Sequence, residues 1–333
     1  MTLESIGFYT LSDKRAKSAS YTSDLMRCEL ILTDACNFRC PYCRGLPEDV
    51  RGTMPLERAK SVVSQWALHN LRNIRFSGGE PAYYRGIVEL VNHAKSCGIE
   101  RIALSTNGSA PLSKYHELIQ AGVNDLSISL DACCAADGDQ LAGGISGAWE
   151  TVIVNIRALA QLEYVTVGIV LTESTIEHAG DIIAFAHYLG VSDIRVIPAA
   201  QLTPELARTI KVNDGVLEAH PILRYRLANA HCGNSVRGLR PEDSSKCRLV
   251  LDDMAVAGDY HYPCIIYLRE QGSPIGRFDD IEAVRRERLV WAEHHDCKAD
   301  PICRNNCLDV CRDYNNVAAS ANSSLIQLRR KGA

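Results

Sequence analysis

From Arg27 to about Pro198 the chain alternates six short apolar runs with five longer stretches of helical periodicity. The apolar runs are Glu29–Thr33, Ile74–Ser77, Ile102–Ser105, Leu126–Leu130, Val165–Leu171 and Ile194–Ile197. Helix patterns lie between them at Pro55–His69, Ile87–Ser96, Lys114–Ala121, Ala148–Ala160 and His178–Leu189. Pro55 suits a first helical turn. Gly98, Gly122 and Gly190 stand just past periodic apolar stretches, where a C-terminal cap belongs. Strands this short, apolar on both faces, are expected where helices cover a parallel sheet. With right-handed crossovers, six such units make an α/β fold, an incomplete (β/α)6 barrel. Sites in such sheets lie at the C-terminal ends of the strands. A length of 333 residues with 46% hydrophobic content fills one such core and leaves room for a small appendage.

Two motifs fall at those strand ends. The first run is followed by Cys36-Asn37-Phe38-Arg39-Cys40-Pro41-Tyr42-Cys43, a C-x3-C-x2-C spacing. Three thiolates this close hold three irons of a [4Fe–4S] cube and leave the fourth without a protein ligand. Structural zinc wants four ligands, usually in C-x2-C pairs, which is a different pattern. The second run is followed by Ser77-Gly78-Gly79-Glu80-Pro81. Gly-Gly alone is ordinary turn chemistry; after a cysteine triplet, at the end of the next strand, it carries more.

Together these motifs resemble the radical S-adenosylmethionine (radical SAM) superfamily. The resemblance implies that Cys36, Cys40 and Cys43 hold the cluster and that its open iron binds the amino and carboxylate groups of SAM. It implies that Gly78, Gly79, Glu80 and Pro81 lie at the methionine amine and Tyr42 near the adenine. Ser105 and Asn107 end the third strand, Ser129 and Asp131 the fourth. The family often uses such groups for the ribose and methionine of SAM; loop capping by the same residue types is the alternative. Asp131 is open between SAM and substrate. Gly168, on the fifth strand, either lets adenine approach the backbone or serves barrel packing.

The rest of the composition narrows the class. Net charge is −4 and aromatics are 6%, so neither a nucleic-acid nor an anionic-membrane partner is expected. No run of 18 apolar residues is present. Residues 1–27 lack the apolar stretch of a signal peptide. Fourteen cysteines in that setting read as metal or redox ligands in a reducing compartment, the cytoplasm.

Six of those cysteines are in the tail: Cys247, Cys264, Cys297, Cys303, Cys307 and Cys311. Leu251–Cys264 reads as a β-hairpin turning near Ala257-Gly258-Asp259. A helix pattern covers Ile281–His294. This arrangement resembles the SPASM/twitch extension of radical SAM enzymes, which carries one or two auxiliary [4Fe–4S] clusters. Two ligand schemes stay open. One cluster would use Cys247, Cys264, Cys307 and one more cysteine. Two clusters would add Cys297, Cys303 and Cys311, with His294 or an exogenous group as fourth ligand. A zinc ribbon in the tail is a third possibility. The expected division is 1–26 N-terminal extension, 27–200 core barrel, 201–246 connector and substrate loops, 247–320 auxiliary-cluster unit and 321–333 tail, with a helix at Pro204–Ala219.

The resemblance implies reductive cleavage of SAM and abstraction of a substrate hydrogen atom, fed by a flavodoxin- or ferredoxin-type reductant. Auxiliary clusters can take an electron from the substrate radical, so a net oxidation is expected. Asp131, Arg195 and His231 are candidates for moving the substrate proton. Cys232, Cys133 or Cys134 is a candidate hydrogen-atom donor; all three are otherwise inert thiols. About two dozen residues precede the first strand, too few for a peptide-binding domain. A small-molecule substrate such as a sugar, aminocyclitol or nucleoside is therefore expected. A peptide maturase (crosslinking or epimerising) and a non-catalytic iron–sulfur or zinc protein are the alternatives.

Overall fold

The structure, a computed structural model, describes residues 14–199 and 208–331. Six parallel strands form its centre: β1 (Arg27–Thr33), β2 (Asn73–Gly78), β3 (Arg101–Thr106), β4 (Asp125–Ser129), β5 (Tyr164–Leu171) and β6 (Asp193–Pro198). They pair in sequence order, each parallel to the last. The intervening helices are α1 (Leu56–Ala67), α2 (Ile87–Ser96), α3 (Leu112–Ala121), α4 (Ala135–Leu141), α5 (Ala148–Leu159) and α6 (Ala179–Tyr188). All six expected strands and five expected helices are present. The sheet is open, since β6 and β1 do not pair. This is the incomplete barrel that the alternation implies.

The longer helices each bury one stripe against the outer face of the sheet. Trp66 of α1, Leu90 and Val91 of α2, Leu118 of α3 and Ile156 of α5 are fully covered. They meet Leu30, Ile74, Phe76, Leu104, Leu126 and Val167 from the strands. Burying a side chain of this size contributes about 1.5–3 kcal/mol.

The inner face departs from expectation. The strands are not apolar on both faces. Glu29, Arg75, Ser77, Ser105, Ser127 and Arg195 point inward at alternate positions and bond to one another: Ser77 Oγ donates to Glu29 Oε1 (2.6 Å), Arg75 Nη1 to Ser105 Oγ (2.9 Å), and Arg195 Nη2 to Ser127 Oγ. Only one face of the sheet is covered by helices; the other lines a cavity and is polar. Short strands show too few residues for that alternation to stand out.

Two further differences lie beyond β6. No single helix spans the described part of the segment expected at Pro204–Ala219, and residues 204–207 lie outside the described residues. The helix there is α7 (Asp214–Ala219), started by Asn213, whose side chain accepts from the Gly215 amide at 2.8 Å. Pro221 then opens α8 (Pro221–His231), which packs on β6 instead of forming a loop.

The hairpin is where the sequence places it, with β7 at Asp253–Ala257 and β8 at Tyr260–Tyr262. It continues the main sheet: β7 pairs in parallel with β1, from Arg27↔Asp253 to Ile31↔Ala257. After it come α9 (Ile265–Arg269), the short β9 (Gly276–Arg277), α10 (Ile281–His294), α11 (Pro301–Asn306) and α12 (Asp309–Lys331). Trp66 Nε1 donates to Met254 Sδ at 3.0 Å and its ring meets Phe278 edge-on at 5.9 Å, joining core and extension. Among the described residues no helix is long and apolar enough to cross a membrane.

Candidate active site and metal centres

One cavity, about 1360 Å³ with its open mouth, lies inside the sheet at the C-terminal strand ends. Cys36, Cys40, Cys43, Tyr42, Gly78, Gly79, Ser105, Asn107, Ser129, Asp131, Gly168 and Arg195 all line it. The Cys43 charge bears on both Cys36 and Cys40, and the Cys36 charge on Cys40. Burial raises Cys36 above the ordinary thiol range and pushes Cys40 up to about 11. Three converging thiols are suited to a cationic cluster, which pulls them to thiolates.

The glycine pair has a packing reason. A Cβ on Gly79 would sit 2.2 Å from the Ala35 carbonyl oxygen, and one on Gly78 2.3 Å from that of Thr33. Both obstacles are backbone and cannot give way. The Gly79 amide donates to Thr33 O (2.6 Å) and the Glu80 amide to Ala35 O (2.8 Å). The end of β2 is thus locked against the start of the cysteine loop.

Glu80 and Pro81 are buried, and neither lines the cavity. The Glu80 carboxylate accepts from Ala82 N (2.9 Å), Thr106 Oγ1 (2.7 Å) and Asn107 N (2.6 Å). Burial raises its pKa, while these donors pull the other way. Its part here is to position the ends of β2 and β3. Asn107, held by that bond, turns its amide to Asn37 Oδ1 (2.8 Å) and to Cys36 Sγ (3.8 Å).

Asp131 joins the loop to the far side of the cavity. Its Oδ2 accepts from the Tyr42 hydroxyl and its Oδ1 from the Val170 amide (2.6 Å). Burial lifts its pKa to about 6. Burial, and then the Asp131 charge, raise that of Tyr42. Gly168 opens directly onto the cavity, and a Cβ there would meet only Ile128 O at 3.9 Å. Packing does not demand that glycine. Arg195 is desolvated deep in the cavity, with its pKa down to about 9.

The other candidates lie elsewhere. Cys232 is exposed at the end of α8 and lines neither this cavity nor the tail one. His231 Nε2 bonds Ile210 O at 3.0 Å. Cys134 stands at the start of α4 and bonds Asp137, and neither it nor Cys133 reaches the cavity lining. Both lead into α4, which turns out of the sheet shortly after Asp131.

One side chain of the cavity wall carries no sequence signal. Arg269, from α9, donates to Gly78 O (2.7 Å) and Gly45 O (2.9 Å) and lines the cavity beside the cysteine loop. Burial lowers its pKa, and the Glu29, Cys43 and Cys36 charges oppose that. Only the pairing of β7 with β1 brings it there.

All six tail cysteines line a second cavity, between α9, α11 and α12. Burial is the leading reason why Cys247, Cys264, Cys307 and Cys311 resist ionising; Cys264 sits at about 11. The charges of Cys247 and Cys264 bear on both Cys307 and Cys311. Asn315 Nδ2 donates to Cys247 Sγ (3.4 Å) and the Tyr267 amide to Cys264 Sγ (3.4 Å). Buried Arg288 of α10 donates to the carbonyls of Val250 (2.7 Å), Tyr262 (2.8 Å) and Pro263 (3.1 Å), fixing the backbone around Cys264. The histidine at this centre is not His294, which is exposed at the end of α10. It is the next residue, His295, with Nε2 at 3.8 Å from Cys303 Sγ. The helix ends there, so one residue further along faces inward.

Comparison with known proteins adds to this geometry. The family model described as the radical SAM superfamily matches residues 30–186. A GTP 3',8-cyclase from Pelotomaculum thermopropionicum is 35% identical over 142 residues, 40% of this chain and 43% of that protein. A probable GTP 3',8-cyclase from Sulfurisphaera tokodaii is 28% identical over 171 residues, 50% of this chain and 53% of that protein. The chain thus spans about half the length of the curated relatives it matches. Among solved structures, anSMEcpe with bound AdoMet superposes with a TM-score of 0.59 at 15% identity, covering 91% of this chain and 96% of that one. SuiB of Streptococcus suis bound to S-adenosylmethionine gives 0.57 at 16%, covering 82% and 66%. These likenesses show a shared fold.

Proposed function

Residues 30–186 are a radical SAM domain, with a [4Fe–4S] cluster and S-adenosylmethionine as its cofactors and a cysteine-rich C-terminus that fits auxiliary clusters, and on that premise we propose that this chain oxidises a small polar molecule by abstracting a hydrogen atom. The observation that carries the reading is the single cavity shared by Cys36, Cys40, Cys43, Tyr42, Asp131 and Gly168. When bound, the cluster and SAM supply a 5'-deoxyadenosyl radical.

The protein's own part is placement and exclusion of water. Cys36, Cys40 and Cys43 hold the cluster, and the Gly79 and Glu80 amides brace the loop that bears them. Tyr42 and Asp131 would hold the adenine and ribose side of SAM, and Gly168 would leave room for the ring. Near neutral pH Asp131 is largely ionised and holds the Tyr42 hydroxyl as a donor. Each Asp131 oxygen keeps a lone pair for a ligand hydroxyl. SAM would take the part of the cavity beside the cysteine loop, and the substrate would be the second molecule, in the remainder of the same cavity toward Arg195 and Gly168.

Charge argues against a nucleoside triphosphate as that second molecule. Among the described residues the cations of the cavity wall are Arg195 and Arg269; Arg269 is engaged by Gly78 O and Gly45 O, and Arg195 Nη2 by Ser127, with Arg195 Nε left without a partner. Glu29 and Asp131 face the same space. A site for a triphosphate needs a surplus of cationic donors, and here two carboxylates offset the two guanidinium groups. A neutral, hydroxyl-bearing substrate suits this wall better. The net oxidation rests on the tail thiols, as ligands of an electron acceptor, and a flavodoxin- or ferredoxin-type protein in the cytoplasm is the fitting reductant.

The test is anaerobic reconstitution with iron and sulfide, then dithionite and SAM. We expect 5'-deoxyadenosine from the native chain and none above background from Cys40→Ala. Undiminished SAM cleavage by that variant overturns the reading.

A further inference from the structure

Three of the tail ligands form one tight group. The His295 ring nitrogen, Cys297 Sγ and Cys303 Sγ all lie within 4.8 Å of one another, with 3.8 Å between His295 Nε2 and Cys303 Sγ. Ligands on one tetrahedral ion with bonds of about 2.0–2.3 Å stand roughly 3.4–3.8 Å apart. Thiolates on different irons of a cube stand roughly 6 Å apart, because an iron–iron edge lies between them. This trio is too tight for the corners of a cube and matches one ion.

The trio is held from outside. The His295 ring stacks on Trp291, centroids 4.0 Å apart and planes 15° apart. Lys246 Nζ donates to the His295 carbonyl (2.9 Å), and the Cys297 amide to Ser245 O (2.8 Å). Asp300 caps α11 by accepting from the Ile302 and Cys303 amides (2.7 and 2.9 Å), which sets Cys303 on the first turn. The other oxygen of Asp300 accepts from the Tyr267 hydroxyl (2.8 Å) and stands 3.5 Å from His295 Nε2. Such bracing around the first ligands is what a built metal site has.

We propose that His295, Cys297 and Cys303 bind one zinc-class divalent ion, with solvent as fourth ligand, beside a single auxiliary [4Fe–4S] cluster on Cys247, Cys264, Cys307 and Cys311. One imidazole and two thiolates are a ligand set that tetrahedral zinc accepts. The four remaining thiols line the same cavity and are enough in number for one cube without the trio. The assignment rests on the proposed reading of those four as cluster ligands; its test counts metals and does not depend on SAM cleavage.

The full chain, made in iron- and zinc-supplemented medium and purified without oxygen, is analysed for bound metal. We expect about eight irons and one zinc per chain, the irons forming two cubes. His295→Ala should lose the zinc and keep the iron. His295→Cys should keep both, which separates loss of a ligand from loss of folding. Cys264→Ala should fall to about four irons and keep its zinc. Cobalt added to the zinc-stripped protein should show thiolate-to-cobalt bands that His295→Ala lacks. About twelve irons without zinc, or zinc retained in His295→Ala, overturns the proposal.

Discussion

At the scale of single residues, the site depends on side chains that are missing as much as on those present. Gly79 is the sharpest case, because backbone already fills its Cβ position, with Ala35 O at 2.2 Å and Asp34 O at 2.7 Å. Gly79→Ala should therefore destabilise the fold by roughly 3 kcal/mol or more and deplete the iron of the N-terminal cluster. Thermal unfolding and iron content check this; an unchanged melting temperature with full iron contradicts it. The motif is legible in the sequence, but the division of labour within it is not. Gly-Gly-Glu-Pro stands out as a string, yet only the fold shows that the Glu80 carboxylate is consumed by Ala82, Thr106 and Asn107. His295 stays hidden for a related reason: spacing rules count residues, and the end of a helix shifts which one faces inward.

At the scale of elements, strands and helices are readable because parallel strands buried under helices are dense in β-branched residues and capped helices end at glycine. Gly98, Gly122 and Gly190 take the left-handed backbone this requires. The reach of α9 is not readable. Its last residue, Arg269, lies far from Gly78 in sequence, and no local pattern announces a guanidinium that crosses to the cysteine loop. Arg269→Ala should cost about 2 kcal/mol in stability through its lost charge-assisted hydrogen bonds. It should also lower the reduction potential of the site cluster, since a nearby cation favours the more negative reduced state. Redox titration followed by electron paramagnetic resonance reads that shift, and Arg269→Lys should recover part of it. A potential that does not move removes Arg269 from the account.

At the scale of the whole molecule, the extension and the barrel share one nine-stranded sheet, ordered β6-β5-β4-β3-β2-β1-β7-β8-β9. A tail rich in cysteines reads as an appendage when only its spacing is visible. Parallel pairing of β7 with β1 is a long-range fact that composition does not encode. Removing residues 247–333 would leave β1 as an unpaired edge and strip Met254 and Phe278 from Trp66. Such an edge invites aggregation. We expect the truncated chain to be insoluble or molten, by solubility and near-ultraviolet circular dichroism. A soluble, cooperatively folding fragment would show that the barrel stands alone.

That same pairing puts the strand leading into Cys36 between two hydrogen-bonded neighbours. Damage by air falls on the iron and the loop, while the rung they hang from stays anchored on either side. A chain bleached by oxygen should therefore keep that strand in place, and repair needs a thiol reductant along with iron and sulfide, without refolding of the strand.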